Sequence, residues 1–227
     1  MKIFKSLKEE YLQEGVYDPG IFKAYFLAGG PGSGKTFVTK SAFAGIGLKV
    51  VNSDNLLTKY LEKEGLSLKM PESEKIKRDE LRLKAKIKTD ARMDLYVQGR
   101  LGLIMDGTAR DYNKISGQQR LFRLLGYQTI MIFVNTSLDV ALERNRNRPR
   151  SLPDAIIINS HKQIQKNMGR LQRIFGARNF VVVDNNEPAE DVNPAVNKRI
   201  RGMVDRAPTS YQAVKWIHRE LEKRKRK

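Results

Sequence analysis

The chain has no cysteine among its 227 residues. That excludes disulfides, a thiol nucleophile and a cysteine-ligated zinc site. Its two histidines, His161 and His218, stand 57 residues apart, outside any metal or triad spacing, so both are read as surface or packing residues. No apolar run approaches the ~20 residues that a membrane-spanning helix requires. Residues 1–10 also lack the long apolar stretch of a secretion signal, so no membrane partner and an intracellular, cytoplasmic setting are expected. Acidic residues are scarce relative to basic ones, 25 against 43, which leaves a net charge of +18. A surplus of that size, spread along the chain, exceeds what binding one small phosphate needs. It points to a polyanionic partner such as nucleic acid, most simply DNA.

What is present begins with eight residues, Gly29-Gly30-Pro31-Gly32-Ser33-Gly34-Lys35-Thr36. They satisfy G-x-x-x-x-G-K-[ST], a loop whose backbone N–H groups surround a phosphate. Residues 22–28 read as a strand entering the loop and residues 37–43 as a helix leaving it, the setting this chemistry needs. Gly30 through Thr36 are therefore the candidate nucleotide contacts. Lys35 is the cation for the β- and γ-phosphates, and the Thr36 hydroxyl is a ligand for Mg²⁺. ATP and Mg²⁺ are the expected cofactors.

The remainder alternates strand and helix. Strands are expected at 49–52, 101–105, 129–134 and 180–183. Helices are expected at 55–64, 72–99, 111–125, 137–145, 155–175 and 211–227. The long charged helix at 72–99 carries Ile76, Leu83, Ile87, Ala91 and Leu95 as its apolar stripe. Pro188 and Pro194 mark a looser section. This order implies an α/β fold, a parallel five-stranded sheet with helices on both faces. The expected division is a helical extension at 1–20 ending in the Asp18-Pro19-Gly20 turn, a nucleotide-binding domain at 21–186, and a basic extension at 187–227. Trp216, in the last helix, is read as core packing.

In such sheets ligands collect at the carboxyl ends of the strands. That edge receives the glycine loop, Asp54 after the second strand and Asp106 after the third. Asp54 is the candidate base for an acceptor hydroxyl, with a helix N-cap as its plain alternative. Asp106 is a candidate metal ligand, with a strand-end turn as its alternative. The segment Arg144-Asn145-Arg146-Asn147-Arg148-Pro149-Arg150 reads as a lid that neutralises a transferring phosphoryl group, or else as a solvated basic loop. Arg144 and Arg148, four apart, are its candidate catalytic pair. Arg110, Arg82 and Arg92 are candidate substrate contacts; Arg82 and Arg92 would line an acceptor channel with Lys86 and Thr89.

Taken together, G-G-P-G-S-G-K-T, V-N-S-D after the second strand, I-M-D-G-T-A-R after the third and the arginine-rich lid resemble the small P-loop kinases over residues 22–184. The nearest groups are the kinase domain of 5′-polynucleotide kinases and the zeta-toxin-like kinases, both met in phage or mobile-element settings. The resemblance implies ATP-dependent phosphorylation of a hydroxyl, with Asp54 as the acceptor-activating aspartate and Arg144 and Arg148 as lid arginines; a phage origin would make the location a host cytoplasm. One departure stands out. Polynucleotide kinases carry an arginine soon after that aspartate, and here Asn55-Leu56-Leu57 follows. Three readings result. The main one is a kinase of a nucleic-acid hydroxyl, either a 5′-OH or a hydroxymethyl group on a modified DNA base. The second is a zeta-toxin-like kinase of a nucleotide-sugar or other small molecule. The third is a nucleotide-regulated nucleic-acid-binding protein. A GTPase or motor is disfavoured, because the chain has no N-K-x-D motif and no second set of motor motifs.

Overall fold

The computed structural model describes residues 15–69, 71–148, 151–187 and 192–226. Five strands form one parallel sheet in the order β2-β3-β1-β4-β5. They are β1 (Lys23–Ala28), β2 (Lys49–Val51), β3 (Leu103–Asp106), β4 (Gln128–Asn135) and β5 (Phe180–Asp184). The helices are α1 (Lys35–Ala42), α2 (Ser53–Lys63), α3 (Lys75–Gln98), α4 (Tyr112–Leu124), α5 (Leu138–Arg146), α6 (Asp154–Phe175), α7 (Pro194–Val204) and α8 (Tyr211–Lys225).

All six residues of β1 are buried, because β3 and β4 flank it and helices cover both faces. A strand covered on both faces is nearly continuously apolar, here from Ala24 to Ala28 after Lys23, and only the direction of the side chains alternates. Ala24, Phe26 and Ala28 join one core with Leu103, Met105 and Met131, closed by Ile115 and Phe122 of α4 and Ile164 and Leu171 of α6. Tyr25 and Leu27 join the other with Ile104, Ile130 and Ile132, closed by Val38 of α1 and Ile200 and Met203 of α7. A third, smaller cluster holds α2 to α3 through Leu57, Leu61, Leu81 and Ala85.

This third cluster corrects one expectation. The buried face of α3 is Leu81, Ala85 and Thr89, whereas Ile76, Leu83 and Ile87 are exposed by 81%, 59% and 60%. Both sets have helical spacing. Small Ala85 and Thr89 let α2 approach closely, and tertiary packing selects them over the larger side chains. The section around Pro194 is likewise better ordered than expected. Asn193 accepts a hydrogen bond from the Ala195 N–H at 2.9 Å and Pro194 opens α7, a favourable helix start whose Ile200 and Met203 reach the core. Pro188 and residues 1–14 lie outside the described residues.

Other expectations hold. The Asp18-Pro19-Gly20 turn forms, its buried carboxylate accepting from the N–H groups of Gly20 (2.7 Å) and Gly102 (3.1 Å). Trp216 packs edge-on against Phe22 with ring centroids 5.6 Å apart. The carboxyl ends of β1, β2 and β3 lead to Gly29, Asn52 and Asp106, so the residues with chemistry share one edge.

Candidate active site

The glycines shape the loop between β1 and α1. Gly29, Gly32 and Gly34 have φ of 152°, 81° and 87°, a region other residues avoid. There is also no room for a side chain: a Cβ on Gly32 would lie 2.3 Å from the Ala141 carbonyl oxygen, and one on Gly34 would lie 2.1 Å from Asn185 Nδ2. The loop is anchored from below. Its Ser33 carbonyl accepts from Asn185 Nδ2 at 2.8 Å and from Thr136 Oγ1 at 3.2 Å. The N–H groups of Gly32, Gly34, Lys35 and Thr36 have no acceptor among the described residues. Four free donors at a helix N-terminus make an anion cradle. Buried Ser33 Oγ is also without a partner there.

Lys35 Nζ donates to the carbonyls of Gly29 (2.7 Å) and Gly30 (3.2 Å), which places the ammonium at the mouth of the cradle. Burial pushes its pKa below the ordinary lysine value; Asp106 and Asp54 oppose that shift, and the nearby Arg148 guanidinium adds to it. Those four charged groups come from four separate stretches of the chain. Thr36, the second residue of α1, is exposed beside them.

The two aspartates are linked by a residue that the sequence reading passed over. Asn52 caps α2: its Oδ1 accepts from the Asp54 N–H at 2.7 Å. Its Nδ2 donates to Asp106 Oδ2 at 2.6 Å. The capping role considered for Asp54 therefore belongs to Asn52, and the Asp54 carboxylate stands on the first turn of α2, exposed. Burial raises the Asp106 pKa above the ordinary carboxylate value, and Lys35 and the Asn52 amide pull it back down. The signal was available: asparagine directly after a strand and before a helix is a cap. Its second bond was not visible, because Asp106 is 54 residues away.

The arginines expected to form a lid divide. Arg144, in the last turn of α5, donates to the Asn185 carbonyl at 2.7 Å, bracing the helix against the residue after β5 that also holds the glycine loop. Arg148 is exposed and faces Lys35 electrostatically. Arg146 pairs with Asp154, and Arg150 lies outside the described residues. The base of this connection is clamped by Asn145. Only 1% exposed, it donates to the Leu152 carbonyl at 2.7 Å and accepts from the Leu152 N–H at 3.1 Å.

Next to Asp54 a cleft of ≈ 150 Å³ opens between β2, α2 and α3, lined by Asn52, Asn55, Lys59, Thr89, Arg92 and Tyr96 among others. Of the residues expected along an acceptor channel, Arg92 and Thr89 line this cleft. Arg82 does not: it lies on the exposed side of α3 in an ion pair with Asp79 at 3.1 Å, and Lys86 pairs with Asp90 at 2.6 Å. The ten residues between them leave the two side chains about 80° apart around the axis and about 15 Å apart along it, which sends Arg82 and Arg92 to different surroundings. Arg110 is exposed on the β3–α4 connection, whose backbone is held by buried Asn167 donating to the Arg110 carbonyl at 2.7 Å. Lys59 and Tyr96 also line the cleft, although nothing in their local sequence sets them apart. No group of three or more His, Asp or Glu able to hold a metal occurs among the described residues. No helix among them is long and apolar enough to cross a membrane.

Comparison with protein families matches residues 19–196 to the family described as Zeta toxin. Solved structures of similar fold include the PezAT toxin-antitoxin system of Streptococcus pneumoniae, 14% identical over 96% of each chain with a TM-score of 0.52. A gluconokinase from Sinorhizobium meliloti is 14% identical over 82% of this chain and 95% of its own, with a TM-score of 0.51. The AvrRxo1-ORF1:-ORF2 structure with ATP is 12% identical over 93% of this chain and 75% of its own, with a TM-score of 0.57. At such identities the likeness concerns the fold. No curated protein sequence matches the chain.

Proposed function

The chain belongs to the zeta-toxin family and is a phosphotransferase of the P-loop kinase type, and from that premise we propose that it phosphorylates a hydroxyl on a small anionic molecule, of the nucleotide-sugar kind, using ATP. The observation that carries this reading is the cleft beside Asp54. It is small, ≈ 150 Å³, and carries the two cations Lys59 and Arg92. Such a recess suits a phosphorylated metabolite better than a polymer end. The family match supports the same choice, so the small-molecule reading is preferred over phosphorylation of a nucleic-acid hydroxyl. Neither a polynucleotide-kinase activity nor a phage origin gains support from the match.

Each residue has a task. The N–H groups of residues 32 and 34–36 bind the triphosphate, and Lys35 and Arg148 bracket the phosphoryl group that moves. Asp54 accepts the acceptor's hydroxyl proton. The acceptor oxygen then bonds to the γ-phosphorus while the bond from that phosphorus to the β–γ bridging oxygen breaks, and ADP leaves with the electron pair. Thr36 and Asp106 are the residues that would hold Mg²⁺. They fit it, because the Thr36 side chain is exposed at the loop's helix and the Asp106 carboxyl faces Lys35 and Asn52, which favour its charged form against the burial that raises its pKa. When bound, the ion neutralises charge on the β- and γ-phosphates.

The test is transfer of labelled γ-phosphate from ATP by the wild type and by Asp54→Asn. Acceptors are a nucleotide-sugar panel, 5′-OH DNA, 5′-OH RNA and hydroxymethyluracil-containing duplex DNA. Asp54-dependent label on a small molecule supports the proposal, and loss of apparent affinity for that acceptor in Arg92→Ala places it in the cleft. Label confined to a nucleic acid overturns it.

A further inference from the structure

The net charge of +18 is not spread evenly. On α3 and α8 acids are interspersed and several of the cations are paired: Lys75 to Glu72 at 2.8 Å, Lys86 to Asp90 at 2.6 Å and Lys223 to Glu220 at 2.7 Å. Helices α4 and α6 differ. Together they contain one acidic residue, Asp154, and Arg146 already engages it. Along α6, Lys162, Lys166, Arg170 and Arg173 follow at intervals of four, four and three, and all four are exposed. That spacing places them in one stripe opposite the buried Ile157, Ile164 and Leu171. Exposed Arg120 and Arg123 add to it from α4, which lies alongside: Arg170 stacks 3.7 Å over the Tyr112 ring, and Gln119 donates to the Ile174 carbonyl at 3.1 Å. Among the described residues, none of these six cations forms an ion pair.

We propose that the α4–α6 face is a docking surface for the phosphodiester backbone of a nucleic acid, separate from the catalytic cleft between α2 and α3. A face that serves only solubility mixes charges of both signs, as α3 does. One sign alone, without acids, stores repulsion that a polyanion relieves by displacing counterions. The four α6 cations extend over eleven residues, about 16 Å at ~1.5 Å per residue, a length that follows several successive phosphates. An anionic membrane is the other polyanion to weigh, and the residues between the cations disfavour it. Along α6 the residues between the cations, Gln163, Gly169 and Gln172, are polar or small, and the exposed apolar Leu121 and Leu124 are confined to α4, whereas a helix lying in a membrane interface interleaves its cations with large apolar side chains. Glutamines donate to phosphate and sugar oxygens instead. The surface carries no base-reading element, so binding is independent of sequence. Nucleic acid here is a partner that localises the enzyme and not its phosphoryl acceptor.

The experiment is fluorescence anisotropy with a labelled 20-base-pair DNA duplex and the RNA duplex of the same sequence, over a range of salt concentrations. Wild type is compared with the triple variant Lys162→Gln/Lys166→Gln/Arg173→Gln and with Lys75→Gln/Lys77→Gln/Lys86→Gln, which removes the same charge from the ion-paired α3. Each phosphate contact contributes about −0.9 to the slope of log K against log salt, so the α6 triple should flatten that slope by about two to three and weaken binding at 0.15 M salt on the order of a hundredfold. The α3 triple should remain within about twofold to threefold of wild type, because its cations are neutralised locally. Both variants should keep the phosphoryl-transfer rate and a wild-type melting temperature, which shows that the fold is intact. Preference between the two duplexes identifies which nucleic acid is bound. The proposal is overturned if wild type shows no saturable binding to either duplex. Equal weakening by the two triples would reduce the effect to bulk charge and overturn it too. So would competition by phosphatidylserine vesicles that displaces the duplex at comparable phosphate concentration.

Discussion

Replacing Asn52 separates a structural role from a chemical one, because one side chain makes two bonds with different consequences. Its Oδ1 caps α2 at the Asp54 N–H, 2.7 Å away, and its Nδ2 reaches Asp106 at 2.6 Å. Asn52→Ala removes both. Loss of the cap costs about 1 kcal/mol. The charge-assisted bond to Asp106 is worth roughly 1.5–3 kcal/mol when no solvent replaces it. Asn52 and Asp106 are both half-buried, so water recovers part of that, and a total loss of about 2 kcal/mol is expected by denaturant unfolding at neutral pH. The chemical consequence has a sign. Burial already raises the Asp106 pKa, and the Asn52 amide lowers it. Without the amide the carboxyl protonates at higher pH, so the acidic limb of the kcat–pH profile moves upward if Asp106 acts ionised. Asn52→Ser divides the two effects, since serine caps nearly as well as asparagine but its short hydroxyl falls short of Asp106. It should regain the ~1 kcal/mol of the cap while keeping the displaced acidic limb. An acidic limb that coincides with wild type in both variants would refute the link between Asn52 and Asp106 and leave Asn52 a cap only.

Three further outcomes follow from the same geometry. Asp54→Asn should lower kcat by about 10²–10⁴-fold. The melting temperature should hardly change, because Asn52 and not Asp54 caps α2; a large drop in stability would contradict that division. Leu81→Ala should cost about 2–5 kcal/mol in urea unfolding, and Leu83→Ala, on the exposed side, less than about 0.5 kcal/mol; similar losses would mean that the α2–α3 contact is mis-assigned. Asn145→Ala should unclamp the lid at Leu152 and lower kcat through Arg148. The loss should largely vanish in an Arg148→Ala background, whereas additive losses would make Asn145 a purely structural residue.

Local rules decided a good part of this protein in advance. The glycine loop, the strand before it and the helix after it are one contiguous stretch, and the φ values of Gly32 and Gly34 are those the motif requires. The five-stranded parallel sheet follows from short, largely apolar strands alternating with helices, and that order brings Asp54 and Asp106 to one edge with Lys35. Trp216 and the Asp18 turn were legible for similar reasons. Where two local readings had equal merit, sequence pattern did not choose. Ile76-Leu83-Ile87 and Leu81-Ala85-Thr89 are both helical stripes, and contact with Leu57 and Leu61 of α2 decides which is buried. Arg82 and Arg92 look alike on paper; the helix turn and the ion pair with Asp79 send one to solvent and the other to the cleft. Asn52, Asn145 and Asn185 carry little signal of their own, since a short amide gains meaning from the backbone or carboxylate it faces, and those partners lie 54, 7 and 152 residues away. The charge total was plain from composition. Only the tertiary structure, by pairing several cations of α3 with acids while Lys162, Lys166, Arg170, Arg173, Arg120 and Arg123 of α6 and α4 form no ion pair among the described residues, decided where that charge is available to a partner.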